Sequence, residues 1–172
     1  MTTLLSTHQD TIKSDIAQKI ETVDNGKSVE KTINIVQAVD ERQPAFSSII
    51  KGKKQQLVFR FNIMGCSVCS DSVYHLLQTE FSNSTLFKDL IVLTNLSIKK
   101  QALVWRSNYP DFNNVYFLPE HIGDLFAEQT DNSYFYLMDV KSSTLSNIFF
   151  PDKSKMPETR AYLKRIEAAW ER

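Results

Sequence analysis

An apolar stretch that runs directly into two closely spaced cysteines most constrains what this chain can fold into. Residues 55–63, QQLVFRFNI, are rich in β-branched and aromatic side chains, which is typical of a buried central strand. Gly65, Cys66 and Cys69 follow at once, and apolar residues then recur at helical spacing from Ser70 onward. The pattern therefore predicts a strand, a tight turn that carries the cysteines, and a helix.

The rest of the chain continues this alternation of strands and helices. Further strands are predicted over 89–96, 113–119, 133–140 and 144–151, and helices over 97–108, over 120–129 and from Pro157 onward. Strands that alternate with helices imply a mostly parallel sheet covered on both faces. The last two strands form a hairpin, which makes the sheet mixed. The predicted fold class is α/β, with a mixed central sheet and helices on both faces.

Residues 1–54 are predicted to be an N-terminal extension of a main domain over residues 55–172. Apolar residues at helical spacing predict an amphipathic helix over 9–23. The alternation of apolar and polar residues in KTINIVQAV, residues 31–39, predicts a strand, which we place at the edge of the sheet.

Charge and composition exclude several classes of function. The 172 residues have a formal net charge of zero and 42% hydrophobic residues, so no basic surface is expected to attract nucleic acid. No stretch approaches the roughly 20 apolar residues of a membrane span, and the first ten residues lack a signal-peptide pattern. We therefore expect a soluble chain with no membrane span, whose oligomeric state the sequence does not indicate.

The spacing of the two cysteines suits redox chemistry. Cys66 is predicted at the N-terminus of a helix, where unpaired backbone N–H groups favour an anion, so we expect its pKa to lie below that of a free thiol. Cys69 is predicted one turn inside the helix, close enough to close a disulfide. Cys66 could then attack the disulfide of a partner, and Cys69 could resolve the mixed disulfide.

The stretch LVFRFNIMGCSVCSDSVYHLL resembles the strand, active site and helix that open thioredoxin-like proteins. The stretch SYFYLMDVKSSTLSNIFFPDKSKMPETRAYLKRIE is similar to the end of TlpA-type and related redoxin-like proteins of Bacteroides-like bacteria. This resemblance covers residues 55–170. It implies a thioredoxin-like three-layer sandwich and a thiol–disulfide oxidoreductase that acts on a protein partner. Cys66 and Cys69 would be the catalytic pair, without a cofactor, in the cell envelope or else in the cytoplasm.

Two positions depart from the thioredoxin-like pattern. Gly65 stands where an aromatic residue usually precedes the first cysteine. Ser133 stands where a cis-proline is expected before the strand that faces the cysteines. A specialised reductase, a site that tolerates metal, and a fold without redox chemistry are all compatible with these departures.

Two other functions stay open for the cysteines. MGCSVC also resembles the M-x-C-x-x-C loop of small copper-carrying domains, and two soft thiolates suit Cu(I). A thioredoxin-like fold without redox activity could instead serve as an interaction module. A structural zinc site is not expected, because it needs four ligands and His8, His75 and His121 are scattered.

Arg60 interrupts the apolar residues of the predicted central strand. Arg60 could reach a carboxylate such as Asp139, which would be a structural role, or its buried charge near the redox pair could tune the protonation of the thiols.

Overall fold

The computed structural model describes residues 23–33, 35–40, 42–65, 67–96, 98–118 and 120–170. The helices are α1 (Glu30–Ile33), α2 (Phe46–Ile50), α3 (Ser67–Glu80), α4 (Thr85–Asp89), α5 (Lys99–Asn108) and α6 (Met156–Trp170). The strands are β1 (Gln37–Ala38), β2 (Gln55–Phe61), β3 (Ile91–Thr94), β4 (Asn114–Phe117), β5 (Tyr134–Asp139) and β6 (Thr144–Phe149). Two short 3₁₀ helices cover Phe126–Thr130 and Lys153–Lys155.

The strands form one mixed sheet in the order β1-β4-β3-β2-β5-β6. Strands β2, β3 and β4 are parallel, and β5 pairs antiparallel with both β2 and β6. A β-α-β unit from β2 to β3 and a later β-β-α unit from β5 to α6 are separated by α5 and β4, and β2 and β5, the first strands of the two units, are neighbours. This order confirms the predicted mixed α/β sheet, and it is the arrangement of the thioredoxin-like fold.

Helices cover the two faces of the sheet unequally. The apolar sides of α3, α5 and α6 pack on one face, where they meet Leu57, Phe59 and Phe61 of β2. The opposite face is covered by α2 and by buried residues of the segment between β4 and the first 3₁₀ helix, among them Ile122 and Leu125. Both faces of β2 are therefore buried, which explains its nearly continuous apolar sequence.

Residues before β2 pack on the rest of the sheet. The backbone N–H groups of Gly26 and Val29 donate to carbonyls at the β5–β6 hairpin, those of Leu145 and Ser143, over 2.7 Å each. Strand β1 pairs with β4 at the opposite edge, as an edge strand. The division at residue 54 into an extension and a main domain stays a prediction, and the predicted helix over 9–23 lies outside the described residues except for its last residue.

The local structure differs from the sequence prediction in several places, and neither α2 nor the 3₁₀ helix Lys153–Lys155 was predicted. Residues 31–39 were predicted as one strand, but helix α1 takes the first part and β1 keeps only two residues. Helix α4 was not predicted; the signal for it is Ser84, whose Oγ accepts a hydrogen bond from the backbone N–H of Leu86 over 3.1 Å. The helix predicted over 120–129 is reduced to the 3₁₀ helix Phe126–Thr130. No helix among the described residues is both long and apolar enough to cross a membrane.

Candidate functional site

The candidate site lies where three connections meet at one end of the sheet. Residues 62–65 leave the C-terminal end of the central strand β2, and α3 begins at Ser67. Asn95 follows the C-terminal end of the parallel neighbour β3, and Ser133 precedes the antiparallel neighbour β5. The carboxyl ends of parallel strands are the usual location of functional sites in such sheets.

Cys69 lies in the first turn of α3, is half-buried and is disulfide-bonded. Cys66, the other cysteine of the sequence, lies outside the described residues. The location of Cys69 at the start of the helix agrees with the expected strand, turn and helix. The place of Cys66 at the helix N-terminus and the roles of the two sulfurs stay predictions.

Three polar side chains hold the backbone just before the cysteines. The Oδ1 atom of Asn95 accepts a hydrogen bond from the backbone N–H of Ile63 over 2.8 Å, and its Nδ2 donates to Oδ1 of Asn62 over 2.8 Å. The same Oδ1 of Asn62 accepts from the backbone N–H of Met64 over 3.0 Å. From the other side, Oγ of Ser133 accepts from the backbone N–H of Asn62 over 3.0 Å. The loop is therefore fixed from β3 and from β5.

Gly65 is needed because the loop passes very close to the chain before β5. A Cβ atom at this position would lie 2.7 Å from the carbonyl oxygen of Asp131, 3.1 Å from that of Asn62 and 3.3 Å from the backbone nitrogen of Ser133. All three neighbours are backbone atoms, so no flexible side chain can move aside. The contact explains why the aromatic residue usual at this position in thioredoxin-like proteins is absent.

Ser133 takes a different role from the expected cis-proline. No cis peptide bond occurs among the described residues. The side chain of Ser133 is 6% exposed and supplies the hydroxyl that satisfies the buried N–H of Asn62. Proline offers no side-chain acceptor, so serine at this position secures the cysteine loop by a hydrogen bond instead.

Three large hydrophobic side chains are exposed on the loop before the cysteines and in the first turn of α3. Ile63 is 49% exposed, Met64 76% and Val68 50%, although all three are large hydrophobic residues. No residue from 61 to 70 carries a charged side chain. Apolar side chains next to a candidate reactive site are suited to contact with apolar parts of another molecule.

Arg60 binds Glu128 and not Asp139, so the predicted partner was wrong. The guanidinium donates to both carboxylate oxygens of Glu128 over 3.0 and 3.1 Å, and to the backbone carbonyls of Leu118 and Glu120 over 2.9 and 2.7 Å. Asp139 instead accepts from Ser142 within the β5–β6 turn. Arg60 is almost fully buried, and it clamps the segment after β4 onto the sheet.

Tyr134 completes this buried cluster. Its Oη donates to Oε1 of Glu128 over 2.6 Å. Burial, and then the neighbouring charge of Glu128, raise the pKa of Tyr134 well above its usual range, so the hydroxyl remains a donor. No sequence pattern pairs Arg60 with Glu128; the one signal is that Glu128 directly follows three apolar residues, 125–127.

His75 and His121 lie apart from each other and are not grouped with Cys69 in a metal site. His75 is exposed on α3, and His121 is largely exposed with its Nδ1 3.3 Å from Oε2 of Glu128. Within the described ranges, no three His, Cys, Asp or Glu side chains are grouped so that they could hold a metal ion.

The chain matches no protein-family model and no curated protein sequence. Solved structures with similar folds include a candidate protein disulfide isomerase from Bacteroides thetaiotaomicron, with 14% sequence identity, a TM-score of 0.48, and 75% of this chain and 82% of that chain covered. They also include AhpC from Mycobacterium tuberculosis, with 16% identity, a TM-score of 0.39, and 76% and 82% covered. The strand order of the chain itself establishes its thioredoxin-like fold.

Proposed function

We propose that the chain is a thiol–disulfide oxidoreductase that acts on a cysteine-containing protein through Cys66 and Cys69. The observation that carries this proposal is the position of Cys69, disulfide-bonded in the first turn of the helix that follows the central strand. Cys66 is the other of the two cysteines in the sequence. The C-x-x-C spacing of Cys66 and Cys69 is that of a pair whose disulfide can form and break reversibly. The cell-envelope location stays a prediction from the resemblance.

The exchange proceeds in two displacements. The thiolate of Cys66 attacks one sulfur of the partner's disulfide, and the partner's other sulfur leaves as a thiolate that takes up a proton. The thiolate of Cys69 then attacks the sulfur of Cys66 in the mixed disulfide, which closes the pair and releases the second partner sulfur. Two electrons pass from the pair to the partner. The same steps in reverse transfer a disulfide to the partner.

The apolar surroundings of the cysteines support a polypeptide as the partner. Ile63, Met64 and Val68 expose apolar surface on the loop and on the first turn of α3. Contact with apolar side chains of a partner would remove this surface from water, which favours binding. We therefore propose an unfolded or extended protein segment next to a cysteine as the substrate.

A copper carrier is the second candidate, because Met64 is 76% exposed and could add a soft thioether to the two thiolates. Cu(I) requires the reduced dithiol, so the reduced chain should compete with a Cu(I) chelator for the metal. Tight binding of one Cu(I) that either cysteine substitution abolishes would favour this candidate. No competition with the chelator would remove it.

Turnover of a model substrate tests the proposed function. With reduced glutathione as the electron donor, the chain should accelerate the opening of a peptide that is closed by one disulfide. We expect Cys66→Ser to lower the rate to that of the uncatalysed reaction, because the attacking sulfur is lost. Samples are quenched with acid at successive times, and peptide chromatography of these samples gives the rate.

Ser67→Ala is the matched control, since it changes the same turn without touching a sulfur. It should keep the rate of the unaltered chain. Equal rates for the unaltered chain and Cys66→Ser would contradict the proposal. If the unaltered chain shows no turnover, and a chain with both cysteines replaced by serine binds a partner as tightly as the unaltered chain does, the chain is an interaction module.

A further inference from the structure

We propose that Asn95 and Ser133 are positioning residues that set how readily Cys66 and Cys69 close into a disulfide. This inference rests on the proposed function, because it concerns the same pair of sulfurs. Both residues lie outside the cysteine loop, one after β3 and the other before β5. Neither is charged, so their effect is exerted through the backbone of the loop.

Asn95 fixes two successive peptide groups with one side chain. Its Oδ1 holds the backbone N–H of Ile63 directly. Its Nδ2 holds Oδ1 of Asn62, which in turn accepts from the backbone N–H of Met64. Because each of these bonds is 2.8–3.0 Å long, they form one continuous chain of hydrogen bonds from β3 to the residue before Gly65.

Ser133 fixes the start of the same loop from the other side. Asn62 is only 7% exposed, so its backbone N–H has little access to water. The hydroxyl of Ser133 accepts that N–H over 3.0 Å. Removal of the hydroxyl would leave a buried donor unsatisfied, which is more costly than the loss of an exposed hydrogen bond.

A loop held in this way favours closure of the pair because fewer loop conformations compete with the closed one. Loss of either anchor lets residues 62–65 take up other arrangements. The effective concentration of one thiol at the other then falls, and the disulfide becomes less stable relative to the dithiol. The two anchors thus raise the equilibrium constant for disulfide formation between Cys66 and Cys69, which we call the closing constant. They do so without contacting a substrate.

Equilibration with glutathione measures this closing constant. The dithiol gives two electrons and two protons to one oxidised glutathione, which becomes two reduced glutathione molecules, while the pair forms its S–S bond. We expect Asn95→Ala and Ser133→Ala each to lower the closing constant roughly tenfold, which is about 30 mV. Acid quenching, alkylation of free thiols and intact mass give the oxidised fraction. Ser133→Thr keeps a hydroxyl and should restore most of the closing constant.

Two control variants lose the same kinds of bond at the other end of the sheet. Ser84 accepts the backbone N–H of Leu86, and Asn114 Nδ2 donates to the backbone carbonyl of Lys88 over 3.1 Å. We expect Ser84→Ala and Asn114→Ala to lower the free energy of unfolding as well, but by less than Ser133→Ala does, because their hydrogen bonds are less buried. They should leave the closing constant unchanged, because neither hydrogen bond involves the cysteine loop.

The outcomes separate the two proposals. If the unaltered chain forms no reversible disulfide with glutathione, the proposed function fails. If the unaltered chain closes reversibly but Asn95→Ala and Ser133→Ala close as readily as the Ser84 and Asn114 variants, the positioning role is overturned.

Discussion

Replacement of Arg60 by methionine is expected to lower the free energy of unfolding by roughly 3–5 kcal/mol. The guanidinium holds the carboxylate of Glu128 with two hydrogen bonds and also satisfies the carbonyls of Leu118 and Glu120. Methionine fills part of the volume but leaves the buried carboxylate of Glu128 without its ion-pair partner and removes the guanidinium donor from the two backbone carbonyls. Urea unfolding followed by circular dichroism measures the loss.

The exposed pair of Arg160 and Glu80 supplies the matched control. Its guanidinium also contacts both carboxylate oxygens, over 2.7–2.8 Å, but both side chains are partly in water. We expect Arg160→Met to cost at most about 1 kcal/mol. The combination of Arg60→Met with Glu128→Leu should regain part of the loss, because it removes the unpaired charge. An Arg60→Met chain as stable as the Arg160→Met chain would contradict the role of Arg60 in holding the segment after β4 on the sheet.

Gly65→Ala is expected to lower the free energy of unfolding by about 1–3 kcal/mol and to make the cysteine disulfide harder to form. The added methyl group would stand 2.7 Å from the carbonyl oxygen of Asp131, so the loop or the segment before β5 must shift. Such a shift also displaces the loop from Ser133. Urea unfolding gives the stability, and equilibration with glutathione gives the closing constant.

Gly52→Ala is the control for this change, at the opposite end of β2. Gly52 has φ +80°, and an added Cβ would meet nothing within 4 Å. We expect a stability cost of about 1–2 kcal/mol from the left-handed backbone alone and no change in the closing constant. A Gly65→Ala chain that closes its disulfide as readily as Gly52→Ala would show that the close approach does not matter.

The order of elements could be predicted from local patterns. The apolar run that ends in Gly65 and the helical spacing after Ser70 are contained within neighbouring residues, and the structure places β2 and α3 there. The closing hairpin and the final helix were similarly indicated, by two strands separated by three residues and by Pro157. The short helices α1, α2 and α4 were not predicted, because a helix of four or five residues has too few positions to show a period.

The polar partners of the site could not be predicted, because they lie far away in sequence. Asn95 is 32 residues from Ile63, Ser133 is 71 residues from Asn62, and Glu128 is 68 residues from Arg60. Only the folded sheet brings these residues together at one end of β2 and β3. Ser133 was singled out as an unusual residue, but its hydrogen bond to the cysteine loop needed the structure.

Covalent trapping of a partner on the Cys69→Ser chain tests the central claim most directly. Without the resolving sulfur, the mixed disulfide formed by Cys66 should persist. We predict that a cysteine-containing peptide supplied as its disulfide becomes linked to this variant, that dithiothreitol releases it, and that mass mapping places it on Cys66. No adduct on Cys69→Ser, or an equally abundant one on Cys66→Ser, would contradict the account.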